Sequence, residues 1–568
     1  MSTLRISNLR CEYLVNPLGI GCAAPRLSWQ TSSDTPGDFQ AAYQIQAAAH
    51  PTDFGRKDAA TVWDSGRIES SQCAHIPYSG PPLSSGERRW WRVRVWNAQN
   101  QPGPFSAPAF FEMGLLEPSD WTGIWIGAAP RQTAAPLFRT EFNLDQAVCS
   151  ARLYICGLGY HEAWINGTRV GDHVLDPHWT NFSDRRMSGM LYPFKDRSRK
   201  RVLYVTHDVT RLLRQGANAV GVMLGNGWFN QRDRTIEGRL WYGQPRLILQ
   251  LNVTLADGSV QQIASSPYWK TASGPVTRNN VYFGETFDAR RDKAGWNSPG
   301  FDDSRWKPAR RMPPPTGALR AQMSPPDKII RTLKPRRITC PRPGVFIADF
   351  GENFSGWCRL TVRGPRGTRI TLRFAEAVGP DGLLDFNSTG GRDQIQTDTF
   401  ILRGTGAPET FEPRFTWHGF RYVELRGLGR KPGVGELEAC VVHAAVESVG
   451  SFSCSSSLLN RVQAACRRTQ LANMHGGVPS DCPHRERLGY TGDGQVVCEA
   501  TLYNFDAAAF YAKWTQDIFD AQNCETGFVP HTAPFCGGGG GPGWGAACVI
   551  VPWLMYLHLG DMRVLGDH

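Results

Sequence analysis

Paired cysteines are missing from this chain. Its fifteen cysteines include no CxxC pair and no Cys/His spacing suited to zinc. An odd, scattered set of this kind reads as reduced thiols in a cytoplasmic protein, not as a disulfide scaffold or a zinc domain. The N-terminal MSTLRISNLRCEYLVNPLG has no apolar run long enough for a signal peptide. No stretch approaches ~18 uninterrupted apolar residues, so no membrane partner is expected. Dense charge of one sign is also scarce. The net charge is +11, yet the one basic run, Lys195 to Arg201 (KDRSRKR), is short and broken by Asp196. It reads as a solvated loop, and no nucleic-acid partner is expected. EF-hand spacing and long internal repeats are absent too, and neither a metal nor a cofactor is expected.

Turn formers and aromatic rings are abundant. Sixty glycines, 39 prolines and 19 tryptophans in 568 residues point to several β-rich domains with many tight turns. Indole rings suit sugar stacking, but most of them are read first as sandwich core.

The pattern divides into four parts. Residues 1–113 read as an immunoglobulin- or fibronectin-like β-sandwich. In RRWWRVRVW (88–96), Trp91, Val93 and Val95 fall on one face and Arg92 and Arg94 on the other. Residues 114–330 read as a second sandwich, with Asn166-Gly167 as a hairpin turn and a short helix between the strands of VLYVTHDVTRLLRQGANAVGVMLGNGWF. Its Tyr160, Trp164, Trp179 and Trp228 are read as core before sugar platform. The stretch Pro313 to Pro335, rich in proline, reads as a linker. Residues 331–445 form a third sandwich, in which Asp349 and Glu352 of ADFGENFSGW take turn roles. From 446 to 568 the period becomes helical. Leu458, Leu459, Val462 and Ala465 mark one helix. Positions 496, 497, 502 and then 510, 514, 518 mark two more, and WGAACVIVPWLMYLHLGD marks another.

The densest chemistry lies in DCPHRERLGYTGDGQ, Asp481 to Gln495. Glycoside hydrolysis needs two carboxyl groups, one to protonate the leaving oxygen and one to act on water or carbon. Asp481, Glu486 and Asp493 can converge on a turn built on Pro483, Gly489 and Gly492. Arg485 and Arg487 flank Glu486, where a guanidinium lowers a carboxyl pKa and crowding by other carboxylates raises one. Tyr490 offers a ring for a sugar face. The same run also reads as a surface loop stitched by Asp–Arg pairs. His484 is given no role.

This segment resembles the catalytic motif of bacterial α-L-rhamnosidases, the glycoside hydrolase family 78 type. The similarity extends to TGFVPHTAPFCGGGGGPGWGAACVIVPWLMY, WHGFRYVELRG, ADFGENFSGW, YFGETFDAR, LYICGLGYHEAWINGTRVGDHVLDPHWTNF and RCEYLVNPLGIGCAAPRLSWQ. It implies an immunoglobulin-like module, two further β-sandwiches (carbohydrate-binding-like, then concanavalin-like) and the N-terminal part of an (α/α)6 barrel. It implies hydrolysis of terminal α-L-rhamnosides with inversion, without a cofactor, on a rhamnose-containing glycoside. Matched by position, Glu486 falls on the general acid, and Asp481, Arg485 and Asp493 on residues that hold rhamnose hydroxyls. Tyr490 stands where many members carry tryptophan, and Trp544 resembles another sugar-facing ring. Ala546 stands where relatives usually have aspartate. A homodimer stays open.

The resemblance also sets an expectation about length. A twelve-helix barrel needs on the order of 300 residues, and 446–568 holds roughly four or five helices. The catalytic base of the family, a later glutamate, has no counterpart here. Glu525 is read as a loop residue. A chain that ends inside a barrel leaves Val549, Ile550, Val551, Leu554, Met555 and Leu557 without partners. The readings are therefore a C-terminally truncated rhamnosidase or, alternatively, a non-catalytic rhamnoside-binding protein or inactive fragment.

Overall fold

Strand Arg88–Trp96 alternates as its sequence demands. Trp91, Val93 and Val95 are buried, while Arg92 and Arg94 turn outward and clamp the Phe105 ring at 4.1 and 4.8 Å. The computed structural model describes every residue except 1–3, 55–60, 130–133, 185–195, 233–240, 390–393, 535–537 and 540. It divides into two compact units.

The first unit comprises Met1–Thr122, Leu319–Met323 and Trp553–Asp567. A three-stranded sheet (Arg5–Cys11, Arg26–Ser32, Ile76–Pro77) and a five-stranded sheet built around Ala42–Ala48 and Arg88–Trp96 enclose Leu27, Trp29, Ile45, Trp91 and Phe111. The short helix Met562–Asp567 is fastened by charge. Arg26 pairs with Glu12 at 2.9 Å and with Asp561 at 2.5 Å, and Arg563 pairs with Glu12 at 2.5 Å.

The second unit comprises Gly123–Ala318, Ser324–Pro552 and His568. It opens with a sandwich. One sheet runs through Tyr160–Ile165, Gly216–Gly225 and Pro136–Leu144, and the other through Val148–Leu158, Arg246–Leu255 and Arg201–Asp208. Asn166 (φ 52°) and Gly167 (φ 83°) make the hairpin turn, since both central positions need left-handed backbone. Tyr160, Trp164, Trp179 and Trp228 are all buried, and Trp179 stacks on Trp228 at 4.0 Å.

A ten-stranded sheet follows, centred on the long strand Val345–Val362, with a core that includes Phe354, Phe374, Phe400 and Phe420. It also draws in Gly284–Asp288, which runs parallel to Thr397–Ile401. Asp327–Leu333 is a strand of this sheet, paired with Leu437–Ala444. The expected linker therefore carries sheet structure. Its proline content hid the β-compatible run KIIRTL. Asp349 and Glu352 lie inside the long strand at a register break, where Asp349 accepts from Gly351 N at 2.8 Å.

Helices complete the unit: α1 (Ser457–Ala472), α2 (Thr491–Asn504), α3 (Ala508–Ala521), α4 (Pro542–Gly545) and the first part of α5 (Ala547–Leu559). Ser456 caps α1. In α3, Phe510, Trp514 and Ile518 are buried. Asp517 binds Lys513 and Arg201, each at 2.6 Å. In α2 the buried side is small and polar (Gly492, Gly494, Cys498, Thr501), while Val496 is 77% exposed. The apolar face expected at 496 and 497 thus points outward. In α5, Val551 and Met555 are buried, contrary to the expected bare face, and Val549, Ile550 and Leu557 are exposed. By length and composition Pro542–Leu559 suffices to cross a membrane, with a mean hydropathy of 1.2 over 18 residues. It nevertheless breaks at Ala546 and contains Pro552. The described cysteines are all free thiols.

Candidate active site

The motif loop sits between the strand Val478–Pro479 and the N-terminus of α2, and three tethers fix it. Asp481 N donates to Leu488 O at 3.2 Å, and Leu488 N donates to Asp481 Oδ1 at 3.3 Å, which closes the loop on itself. Gln394 Nε2 donates to the Arg485 carbonyl at 2.9 Å. Arg487 anchors the loop to the β-core. It is buried, donates to Trp417 O and Gln396 Oε1 at 2.7 Å each and to Val281 O, and takes a left-handed backbone (φ 59°). Only Arg485 of the two flanking arginines reaches the acid. Its guanidinium lies 2.6 Å from Glu486.

Glycines let the rings close in. A Cβ on Gly494 would lie 2.1 Å from Trp514 Cη2, and one on Gly492 would lie 2.6 Å from Trp544 Nε1. No larger residue fits between α2 and those indoles without displacing them.

A depression of about 400 Å³ is lined by Asp481, Glu486, Tyr490, Asp493, His531, Gly541 and Trp544. Five of the six predicted residues therefore meet in one place. The sixth, Arg485, joins through its ion pair with Glu486. Asp493 stands in the first turn of α2, where the helix dipole favours an anion. Trp544, on α4, is half exposed. His531 escaped sequence reasoning. It stacks on Tyr490 at 5.5 Å with the planes 11° apart, and its carbonyl accepts from Thr491 N at 2.8 Å. The sequence signal for it was weak, a lone histidine before the glycine loop. His484 faces away, bonded to Ser388 O at 2.7 Å. Glu525 pairs with Arg197 at 2.9 Å on the surface.

Cys482 Sγ lies 3.1 Å from Asp481 Oδ2 and 3.3 Å from Glu486 Oε2. Burial, with the two carboxylates, pushes its thiol up to about 12, so it stays protonated, with its one S–H in reach of either carboxylate. The carboxyl pair shares a proton unequally. Burial, then Glu486, pushes Asp481 up to about 7. Burial would also raise Glu486, but hydrogen bonds from Cys482 and Asp481 and the Arg485 charge outweigh it and hold Glu486 below its usual range. When the pair carries a proton, Asp481 is the one that holds it.

Four family models match in chain order: a Rha78A-like N-terminal immunoglobulin domain over 6–117, an α-L-rhamnosidase N-terminal domain over 146–331, a concanavalin-like domain over 340–443 and a six-hairpin glycosidase domain over 447–568. An α-L-rhamnosidase of Formosa agariphila is 34% identical over 97% of this chain and 61% of its own length. One of Streptomyces avermitilis is 31% identical over 100% of this chain and 70% of its own. The crystal structure of the Streptomyces avermitilis enzyme complexed with L-rhamnose superposes with a TM-score of 0.92, at 31% identity over 99% of this chain and 70% of that one. The chain thus spans about three fifths to seven tenths of these relatives. On this identity and coverage, the chain belongs to the bacterial α-L-rhamnosidase family.

Proposed function

We propose that this chain supplies the acid side of a rhamnoside-hydrolysing site, acting on terminal, non-reducing α-L-rhamnose with inversion. The observation that carries the reading is the convergence of Asp481, Glu486 and Asp493 with two aromatic rings in one depression. In this reading Glu486 is the general acid. Asp481, Arg485 and Asp493 hold sugar hydroxyls, and Tyr490 and Trp544 bracket the ring.

A proton held by Asp481 has a physical route to Glu486. A sugar hydroxyl donating to Asp481 favours its ionised form, and a hydroxyl that draws Arg485 away removes the charge holding Glu486 ionised. Substrate binding itself then arms the acid. An inverting mechanism also needs a base about 6.5–9.5 Å from the acid. Among the described residues lining the depression, the carboxylates are those three, all given other roles. In this reading the base is not supplied by residues 446–568.

The ionised resting state of Glu486 favours one second reading, a rhamnoside-binding chain without hydrolysis. Assay of p-nitrophenyl α-L-rhamnoside, together with titration of L-rhamnose, separates the two. Under the first reading, turnover by the chain is weak and Glu486→Gln removes it on a rhamnoside with a poor leaving group, a loss on the order of 10²–10⁴, while rhamnose affinity is kept. Turnover at the rate of the full-length relatives places the base within this chain and overturns that part of the reading. Reversible binding with no turnover at all selects the second.

A further inference from the structure

Away from the depression, the second unit gathers a different set of ligating groups. The strand Thr168–Arg169 is followed by a bend with left-handed backbone at Gly171 (φ 64°) and Leu175 (φ 59°). This bend brings His173 and Asp176 against His207, which lies on the strand Arg201–Asp208. One ligand atom from each of the three lies within 4.8 Å of the others. His173 Nδ1 is 2.9 Å from Asp176 Oδ2, and the His173 and His207 rings are 5.1 Å apart. Asp176 is buried, and the two histidines are partly buried.

The flanking cations are committed elsewhere. Arg169 reaches Glu162 at 3.4 Å and the His173 carbonyl, and Lys328 holds Asp172 at 2.8 Å.

We propose that His173, Asp176 and His207 form a binding site for a divalent transition-metal cation of the Zn²⁺ class. Two imidazole nitrogens and one carboxylate oxygen suit Zn²⁺ and disfavour Ca²⁺, which takes oxygen ligands alone. At Zn–N and Zn–O distances of about 2.0–2.1 Å, tetrahedral ligand atoms sit about 3.3 Å apart. Side-chain rotation closes the remaining gap, and water fills the fourth position. His207 belongs to one sheet of the second sandwich. His161 of the other sheet donates its backbone N–H to Asp176 O at 2.8 Å. The cation therefore ties the two sheets together, and it stabilises the folded state because the unfolded chain holds no such cluster.

Thermal unfolding of the chelator-stripped chain, with and without added ZnCl₂, tests this. The expected result is a rise in Tm of several degrees that saturates near one equivalent. His173→Gln should lose the rise, read against its own metal-free Tm, which falls because the buried Asp176 loses its 2.9 Å partner. His207→Gln should lose it too. Cys482→Ser, which alters the Asp481–Cys482–Glu486 cluster, should keep it. No rise, a rise that survives both histidine substitutions, or a rise abolished by Cys482→Ser would each overturn the proposal.

Discussion

The Arg487 guanidinium donates to the Trp417 carbonyl at 2.7 Å and lies 5.2 Å from the centre of the same residue's ring. One side chain thus binds the loop that carries Glu486 to the core beneath it. Arg487→Lys keeps the charge but loses the planar fork, and at least one buried acceptor is left unmet. Urea unfolding should show a loss of about 2–4 kcal/mol. A change under about 0.5 kcal/mol would mean that the loop is held by its own Asp481–Leu488 bonds.

The two ring-facing glycines of α2 should fail differently. Gly494→Ala drives a methyl group into the buried Trp514 and should cost about 1–3 kcal/mol of stability. Gly492→Ala meets Trp544, which can swing outward because it is half exposed. It should leave the unfolding midpoint nearly unchanged and weaken rhamnose binding instead. Paired denaturation and titration experiments distinguish the two, and equal stability losses would contradict the assignment.

The shared proton predicts a titration. Carboxyl ¹³C NMR should find Asp481 changing charge near pH 7 and Glu486 well below it. Because the folded pKa of Asp481 exceeds its unfolded value, its contribution to stability is full at low pH and is lost as pH rises through about 7. Glu486→Gln removes a neighbouring negative charge and should move the Asp481 midpoint downward. Arg485→Gln should move that of Glu486 upward. An unmoved Asp481 midpoint in the first variant would show that burial alone sets it.

Glu285, on the strand Gly284–Asp288, gives a second pH effect. Burial, then the nearby Asp398, pushes it up to about 8, while Arg414 N and Phe415 N donate to one of its oxygens at 3.2 and 3.1 Å. The folded state holds this proton where the unfolded chain has lost it, so stability should fall as pH rises from about 4.5 to about 8, by a few kcal/mol on the order-of-magnitude scale. Glu285→Gln should flatten that part of the stability curve. A curve of unchanged slope would show that Glu285 is already ionised in the fold.

Local pattern made part of this molecule legible. Asn166-Gly167, the alternation of 88–96 and the apolar spacing of Phe510, Trp514 and Ile518 each follow from short-range geometry, and each is found in the fold. The convergence of Asp481, Glu486, Tyr490 and Asp493 followed from a compact loop. Other features depend on distant partners. α2 buries its glycines because two tryptophans, from α3 and α4, come to it, so its valines face out against the hydrophobic pattern. Asp327–Leu333 became a strand because Leu437–Ala444 lies beside it. The inward turn of Arg487 depends on carbonyls some 70 and 200 residues away. His173, Asp176 and His207 have no sequence spacing that suggests a shared ligand, because two sheets bring them together.

The parallel pairing of Gly284–Asp288 with Thr397–Ile401 has a consequence for synthesis. The earlier strand leaves the ribosome long before its neighbour exists, and at ~5–20 residues per second the wait is roughly 5–20 s. Throughout that interval Phe287 and its edge of unpaired backbone are open to other chains. The yield of soluble protein should therefore depend on translation speed and on chaperones that shield nascent strands, even where the finished fold is stable.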